Sequence, residues 1–394
     1  MCVQFFLGPT FAYNGLDEYA FINYKMKIPE EQYFAYAIPA VLLFVLGLHL
    51  NPGNSKGEIP NQKKIAEFVK NNPSLGYQFI GVGFLSGFVA NYFGSELAFV
   101  FYLLAAFKFV GLYLLIYGDK KIKPLPMALV IGSIIVSSLT SGMFHDLLTW
   151  IVYTSAVFGI KYKFKTGLKL AGVAAFIFMA ATIQVLKGDF RKELGNSDGA
   201  SGAETFGKVF KQRDEKEGGV LNFENLAESN VRINQGFIIT NIMSTVPDKV
   251  EFSNGEELYT ILEAAFLPRI IAPNKLNAGD RSIFIKYSGL AVREGTSMGL
   301  SSLGDAYINF GVFGGCIFMF VLGFLYSQVL NYFHKQSFNY PILILFVPLI
   351  FYYPIRPDCE LQTILGHLVK GCFLVYCIIS IWNSTFKSYR PATV

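Results

Sequence analysis

Residues 306–330 decide the fold class of this chain. They read AYINFGVFGGCIFMFVLGFLYSQVL and contain no charged side chain. An apolar run of about 20 residues is long enough for a helix to cross the roughly 30 Å hydrocarbon core of a membrane. Similar runs recur along the chain, and together they predict membrane-spanning helices at 33–50, 76–93, 96–117, 125–141, 144–160, 168–186, 306–330, 338–354 and 361–382.

The composition agrees with a membrane protein. Of 394 residues, 53% are hydrophobic and only 15% are charged. A soluble domain carries about 25% charged residues. A further apolar run at 2–13 is too short to cross a membrane, and we interpret it as the end of an incomplete helix. The sequence therefore predicts an all-α polytopic membrane protein with about 9–10 transmembrane helices.

Cysteine usage and charge exclude several classes of protein. The five cysteines form no Cys-x-x-Cys pair and no Cys/His cluster, which predicts neither a disulfide framework nor a metal site. The net charge is +5, and the lysines cluster between apolar runs, so we expect no nucleic-acid partner. No cofactor is expected either.

Lysines in the short connectors predict the orientation in the membrane. When the helices are threaded alternately, these lysines all fall on one side, which is expected to be the cytoplasm. They are Lys56, Lys63, Lys64, Lys70, Lys120, Lys121, Lys123, Lys161, Lys163, Lys165, Lys169, Lys335 and Lys387. The chain then divides into an N-terminal helix group at 1–186, a large periplasmic loop at 187–304 and a C-terminal helix group at 305–394.

The large loop is expected to be partly helical and partly irregular. Apolar spacing predicts a helix at 222–246, which Pro247 closes. A second helix is predicted at 256–266, with Ser253 or Asn254 as its N-terminal cap. On the cytoplasmic side, 59–69 has the pattern of a short interfacial helix.

Arginine is concentrated in the large loop and in the outer turn that follows it. This placement opposes the usual positive-inside bias, because the cytoplasmic connectors use lysine almost exclusively. A guanidinium binds phosphate through two N–H groups and stays charged when partly dehydrated. We expect Arg232, Arg269 and Arg356, which adjoin apolar segments, to be functional. Arg191 and Arg213 lie in polar surroundings and are interpreted as ordinary loop charges.

Ionisable residues inside apolar runs are a second indication of function. Lys108 lies near the middle of one predicted helix, and His367 and Lys370 share a face of the last helix. Such groups usually line a polar cavity or an ion path, although a lysine that bonds backbone carbonyls at a helix break is the alternative.

Two positions at the outer boundary could act as a base or as a helix cap. His145 and Asp146 are adjacent, and since neighbouring residues on a helix diverge, one of them alone is more plausible as a base than a dyad. Asp305 precedes a spanning helix, where it could activate a sugar hydroxyl or simply complement the helix dipole.

Four segments resemble a known family. FLPRIIAPNK at 266–275, VRINQ at 231–235, GDAYINFG at 304–311 and Arg356-Pro-Asp358 followed by His367 and Lys370 are similar to bacterial oligosaccharide repeat-unit polymerases of the Wzy type. The resemblance covers about 221–370, and the N-terminal half matches in topology only.

The resemblance implies a metal-independent glycosyltransferase of the GT-C kind in the bacterial inner membrane. It would join oligosaccharide units carried on undecaprenyl diphosphate into O-antigen, capsule or exopolysaccharide, with membrane lipid, a flippase and a chain-length regulator as partners. Arg232, Arg269 and Arg356 would stabilise the diphosphate or the reacting sugar, and Asp305 or His145 would be the base. The residues expected to bind substrate are Lys275, Arg281, Arg293, Asp358, His367 and Lys370.

Two other functions remain open at this point, and a purely structural membrane scaffold, which would not require arginines held against the charge bias, is a third alternative. A ligase that moves finished glycan onto a lipid acceptor would share the same plan of helices and a large outer loop. A transporter or flippase usually shows paired halves with a site at the bilayer midplane. The asymmetric hydropathy of this chain disfavours the transporter.

Overall fold

The structure is a computed structural model that describes residues 1–19, 24–50, 62–93, 95–118, 123–196, 201–216, 219–267, 271–272, 275–276, 279, 281–292 and 298–381. Within these ranges it is built from helices without a β-strand. The α-helices are α1 (Gly8–Tyr13), α2 (Glu30–His49), α3 (Gln62–Asn71), α4 (Leu75–Val89), α5 (Ser95–Ala105), α6 (Phe107–Gly118), α7 (Pro124–Ser141), α8 (His145–Tyr162), α9 (Thr166–Asn196), α10 (Gly202–Lys216), α11 (Phe223–Ile233), α12 (Gly236–Thr245), α13 (Glu256–Phe266), α14 (Arg281–Ser288), α15 (Ser301–Gln336), α16 (Val347–Ile350) and α17 (Leu361–Ile381).

The chain is an all-α polytopic membrane protein, as the sequence predicts. Six helical stretches of the described chain are long and apolar enough to cross a membrane. They are Glu30–His49, Phe99–Gly118, Pro124–Ser141, Thr166–Asn196, Ser301–Gln336 and Leu361–Ile381. Each coincides with one of the predicted spans.

The three remaining predicted spans differ from this set. The run at 76–93 forms the 15-residue α4 and a short 3₁₀ turn, Ala90–Tyr92. The run at 144–160 forms α8, which is helical over 18 residues but begins with His145 and Asp146. The run at 338–354 is a 3₁₀ helix, Pro341–Phe346, followed by the four residues of α16. Prolines 341, 348 and 354 lack the N–H that a continuous helix needs there.

Packing divides the chain into two compact units. The first comprises Met1–Asn61 and Ile233–Val394, and the second comprises Gln62–Arg232. The predicted division of the sequence at residues 186 and 304 is based on the expected membrane side of each segment. The packing units do not test it, so it stays a prediction.

In the first unit, α2 and α15 pack closely along their length. Glycines make this possible, because a methyl group at Gly47 or Gly323 would overlap a carbonyl oxygen of the other helix. Small residues let helix backbones approach in this way inside membranes. At Gly311, φ is +67° and α15 changes direction, which separates its first ten residues from the long apolar part.

In the second unit, α4 packs on α6, and the Phe109 ring stacks on Trp150 of α8 at 3.8 Å between centroids. The predicted span at 96–117 is interrupted at Ala106, between α5 and α6. The predicted interfacial helix is present as α3, and its apolar residues Ile65, Phe68 and Val69 are buried. Residues 59–61 of that prediction lie outside the described chain.

The predicted helices of the large loop are partly corrected. The predicted helix at 222–246 is two helices, α11 and α12, which are separated by Asn234 and Gln235. The Gln235 N–H donates to the Gln4 carbonyl instead of continuing a helix. The helix at 256–266 is confirmed as α13, but Ser253 does not cap it. Its hydroxyl donates to the Asn309 side-chain oxygen at 2.7 Å.

Candidate functional site

A small cleft of about 20 Å³ opens in the first unit where α13, α14, α15 and α17 approach one another. Its polar lining consists of Asp305, Glu360 and Gln362, and the remainder is apolar or backbone. The other lining residues are Ile261, Ile283, Phe284, Met298, Gly299 and Leu300. Converging polar groups among apolar ones are one feature of small-molecule sites, and on that ground we take this cleft as the candidate site.

Asp305 lies in the wall of this cleft and is only 3% exposed. Its Oδ2 accepts a 2.7 Å hydrogen bond from the backbone N–H of Leu361, the first residue of α17. The backbone carbonyl of Asp305 accepts a hydrogen bond from the Asn309 amide. The Asp305 carboxylate therefore accepts a hydrogen bond from a backbone N–H at a helix N-terminus, where a negative charge also complements the helix dipole. That helix is α17 and not α15, to which Asp305 itself belongs. Its position in the cleft leaves the role of base open.

Glu360 is the residue that sequence reasoning missed. Its Oε1 accepts hydrogen bonds from the Gly279 N–H at 2.5 Å and from the Thr363 hydroxyl at 2.7 Å. The carboxylate therefore joins the start of α17 to the segment between α13 and α14. The only signal in the sequence was its place at the end of the outer turn, next to the residues that resemble the polymerase family.

Gln362 and Lys275 hold the same segment in place. The Gln362 amide donates to the Leu276 carbonyl at 3.0 Å. The Lys275 ammonium donates to the carbonyls of Ala264 and Leu267, at the C-terminus of α13. A lysine is favourable there because the last carbonyls of a helix lack intrahelical partners. The structure thus places Lys275 in a capping position, and its role toward substrate stays a prediction.

Arg356 and Asp358 form an ion pair in the turn before α17. The guanidinium Nη2 lies 2.9 Å from Asp358 Oδ2, and the Arg356 side chain is 18% exposed. The guanidinium carbon also lies 5.3 Å from the centre of the Tyr353 ring. Burial alone would lower the pKa of Arg356, but the neighbouring Asp358 carboxylate more than offsets this and the pKa is raised. Arg356 is therefore a permanent cation with one carboxylate partner.

His367 packs beneath this turn. Its Nε2 lies 2.7 Å from the Leu349 carbonyl, and its ring makes an edge-on contact with Tyr353 at 5.0 Å. His367 is 2% exposed. Since its ring supports both Tyr353 and the short α16, it stabilises the Arg356 turn. Lys370 follows one turn later on α17, and its Nζ lies near Gly366.

Arg281 is the first residue of α14 and is exposed. Its Nε donates to the Val292 carbonyl at 2.7 Å, which ties the two ends of the 281–292 segment together. The predicted contacts of Arg269 and Arg293 lie outside the described residues. The same holds for the Arg232 side chain, although its backbone belongs to α11. The meeting of Arg232, Arg269 and Arg356 in one pocket stays a prediction.

His145 and Asp146 belong to the second unit. Contrary to the expectation that their side chains diverge, His145 Nε2 lies 2.7 Å from Asp146 Oδ1. Both side chains are about one-third exposed, at 34% and 36%. The pair is therefore geometrically able to act as a base and its orienting carboxylate, although a role in catalysis stays a prediction.

Lys108 lies just after the break between α5 and α6. Its ammonium donates to the Ser133 hydroxyl at 3.1 Å and lies 5.5 Å from the Phe84 ring centre. Arg191 and Arg213 lie on the helices α9 and α10 and bond residues distant in the chain, and their interpretation as ordinary loop charges stays a prediction. Arg191 donates to the Gly142 carbonyl at 2.8 Å, and Arg213 pairs with Asp189 at 2.7 Å.

Among the described residues, no group of three or more His, Cys, Asp or Glu side chains has a geometry that could hold a metal ion. Comparison of the chain with known protein families, with characterised proteins and with solved structures gives no match.

Proposed function

We propose that the protein is a membrane glycosyltransferase that polymerises oligosaccharide repeat units carried on undecaprenyl diphosphate. It would act at the outer face of the bacterial inner membrane and produce a surface polysaccharide. One observation carries the proposal. Three segments that resemble the polymerase family lie far apart in the chain. Residues in these segments, or within a few positions after them, meet around the same cleft. Leu276 and Gly279 bond to residues 360–362, and Asp305 bonds to Leu361.

The chemistry follows from the groups in that cleft. The acceptor hydroxyl oxygen attacks the anomeric carbon of the donor glycan, and the bond from that carbon to the diphosphate oxygen breaks. The electron pair leaves with the lipid diphosphate, and a carboxylate takes the hydroxyl proton. We expect inversion at the anomeric carbon. Asp305 and Glu360 are the two carboxylates in the cleft, and we add Glu360 to Asp305 as a base.

The leaving diphosphate needs positive charge. Arg356 supplies a guanidinium in the outer turn four residues before Glu360, and Arg269 and Arg232 are proposed to join it. The Arg356 guanidinium has five N–H donors, and one of them donates to Asp358. The others remain for phosphate oxygens. Fixed cations that meet developing charge commonly contribute more to the rate of such reactions than any other effect.

The test is the length distribution of the surface polysaccharide in cells whose only copy of the gene carries Glu360→Gln. We expect chains of a single repeat unit in place of long polymer, because the amide cannot take the hydroxyl proton. Glu251→Gln is the matched control, since Glu251 is an exposed glutamate of the same unit outside the cleft. It should give normal chain lengths.

The products separate the competing functions. A ligase would leave long polymer without its lipid acceptor, and a flippase would leave lipid-linked units on the cytoplasmic side. Normal polymer from Glu360→Gln and from Asp305→Asn, with both proteins inserted, would refute the use of this cleft.

A further inference from the structure

Lysine is concentrated at one end of the second unit, where the described parts of five helices besides α3 end or begin. Val69 of α3 packs against Gly118, the last residue of α6. Gln62 of α3 donates to the Ile160 carbonyl near the end of α8, at 3.2 Å. At the same end, Lys123 donates to the Tyr77 hydroxyl at 2.9 Å, which joins the start of α7 to the start of α4. We call residues 62–77, 114–118, 123–126 and 158–170 the lysine-rich end.

Helix α3 runs across this end and does not continue a spanning helix. From Gln62 to Val69 the helix rises about 10 Å, which is the usual distance between the axes of neighbouring packed helices. One end of α3 therefore reaches α8 while the other reaches α6. If the spanning helices cross a membrane, α3 lies in the plane of the membrane surface. Its apolar residues are buried against the unit, and Lys63 and Lys70 are exposed.

The charge of the lysine-rich end is strongly one-sided. These four ranges contain eight lysines and a single acidic residue, Glu67. Lys163, Lys165 and Lys169 are exposed and surround the start of α9, whose first two turns are exposed as well. Lysines this close to a membrane surface each contribute about 1 kcal/mol to the attraction of anionic lipid, within a Debye length of about 8–10 Å.

Aromatic rings mark the boundary between water and lipid at this end. The Tyr77 ring is 45% exposed and lies 5.1 Å from the Lys123 ammonium. The Phe164 ring is exposed between Lys163 and Lys165 and stacks on Tyr162. Tyrosine is enriched at the depth of lipid head groups, where one part of the ring is apolar and the other meets water.

We propose that the lysine-rich end binds the phosphate head groups of anionic phospholipids, with α3 and the 163–169 segment as the two basic sides of the surface. The proposal rests on the second unit alone and does not depend on the proposed glycan polymerisation. Its ligand is lipid and not a soluble acidic partner, because the lysines lie beside the exposed rings of Tyr77 and Phe164 and beside the exposed apolar start of α9.

The test is the selectivity of the full-length protein, reconstituted in phosphatidylcholine vesicles, for spin-labelled phosphatidylglycerol over spin-labelled phosphatidylcholine. Electron paramagnetic resonance gives the fraction of each label that the protein immobilises. We expect the unaltered protein to prefer phosphatidylglycerol. The triple variant Lys63→Gln, Lys70→Gln, Lys165→Gln should lower that preference at least fivefold, which is the effect of about 1 kcal/mol.

The matched control removes three lysines from another region of the same unit. Lys192→Gln, Lys208→Gln, Lys211→Gln changes the net charge equally, and these side chains are exposed on α9 and α10 beyond the lysine-rich end. The preference should survive in this control. Raising the salt concentration should abolish the preference of the unaltered protein for phosphatidylglycerol. This measurement tests the proposal even if the first triple variant fails to insert into the vesicles. The proposal would be overturned if the unaltered protein shows no preference for phosphatidylglycerol or keeps its preference in high salt. It would also be overturned if both triple variants lose the preference equally.

Discussion

Arg356 is the charged residue of the predicted site whose surroundings the structure describes most fully. The Asp358 carboxylate and the Tyr353 ring hold its guanidinium at the start of the turn that leads to Glu360. The pair is partly exposed, at 18% for Arg356 and 33% for Asp358, and an ion pair that water still reaches contributes little to stability. Because the pair adds little to stability and lies four residues before Glu360, a role toward an anionic ligand such as the proposed diphosphate is the hypothesis to test.

Replacing Arg356 tests that role. We expect Arg356→Ala to lower the yield of long polysaccharide at least tenfold, because the charge and the fork of donors are both lost. Arg356→Lys keeps the charge but loses the planar fork, so it should restore part of the polymer. Chain lengths measured on gels, with protein levels in the membrane fraction as the control, would check this. Equal activity of both variants and the unaltered protein would exclude Arg356 from the reaction.

The Cys359 thiol lies in the same turn and gives a pH-dependent prediction. Burial raises the pKa of Cys359 to about 12. The thiolate is the reactive form, so its fraction at neutral pH is small and grows only as the pH approaches that value. In a variant whose other four cysteines are serine, we expect labelling of Cys359 by iodoacetamide to accelerate with rising pH without a plateau below pH of about 10, well above the ordinary thiol value of about 8.5. A plateau near the ordinary value would contradict the raised pKa of this partly buried thiol.

At the scale of elements, Asp305 connects the start of α15 to the start of α17. Two substitutions separate its structural role from a catalytic one. Asp305→Asn keeps an oxygen that accepts from the Leu361 N–H, so the protein should unfold at nearly the same temperature and yet lose polymerisation. Asp305→Ala leaves that buried N–H without its acceptor, which costs about 1–3 kcal/mol.

Thermal unfolding in detergent, measured beside polysaccharide length, distinguishes the outcomes. A stable, fully active Asp305→Asn protein would show that Asp305 serves only as a cap for α17.

The sequence predicted most elements because their signals are local. Apolar runs of helical length identified the spans, and the pattern before Pro268 identified α13 with its correct ends. The run at 338–354 was misjudged because hydropathy outweighed the prolines. The single helix at 222–246 was wrong because the break at Asn234 and Gln235 depends on a contact with Gln4, more than 200 residues away.

The candidate site was less predictable for the same reason. Asp305 bonds a residue 56 positions away, and Glu360 bonds one 81 positions away. Neither contact leaves a local pattern, so sequence reasoning found Asp305 only by its place before a helix and missed Glu360. Arg356 was singled out because arginines in the segments predicted to be extracytoplasmic oppose the charge bias of the lysine-rich connectors.

At the scale of the whole molecule, the orientation predicts which surfaces face the cell exterior. In a variant without native cysteines, Lys211→Cys on α10 should react with a membrane-impermeant maleimide added outside the inner membrane. Lys70→Cys on α3 should react only after the membrane is opened. Both side chains are exposed, so burial does not explain a difference. Labelling of both from outside, or the reverse order, would contradict the assigned sides.

Synthesis by the isolated protein tests the central claim most directly. The purified chain in vesicles is given undecaprenyl-diphosphate-linked repeat units from its own host, in the presence of a metal chelator, and the length of the glycan and the released lipid diphosphate are measured. The account predicts glycans of many repeats, one lipid diphosphate released per bond formed, and loss of both with Glu360→Gln but not with Glu251→Gln. Repeat units that remain single with the unaltered protein, or polymer that forms equally well with Glu360→Gln, would contradict it.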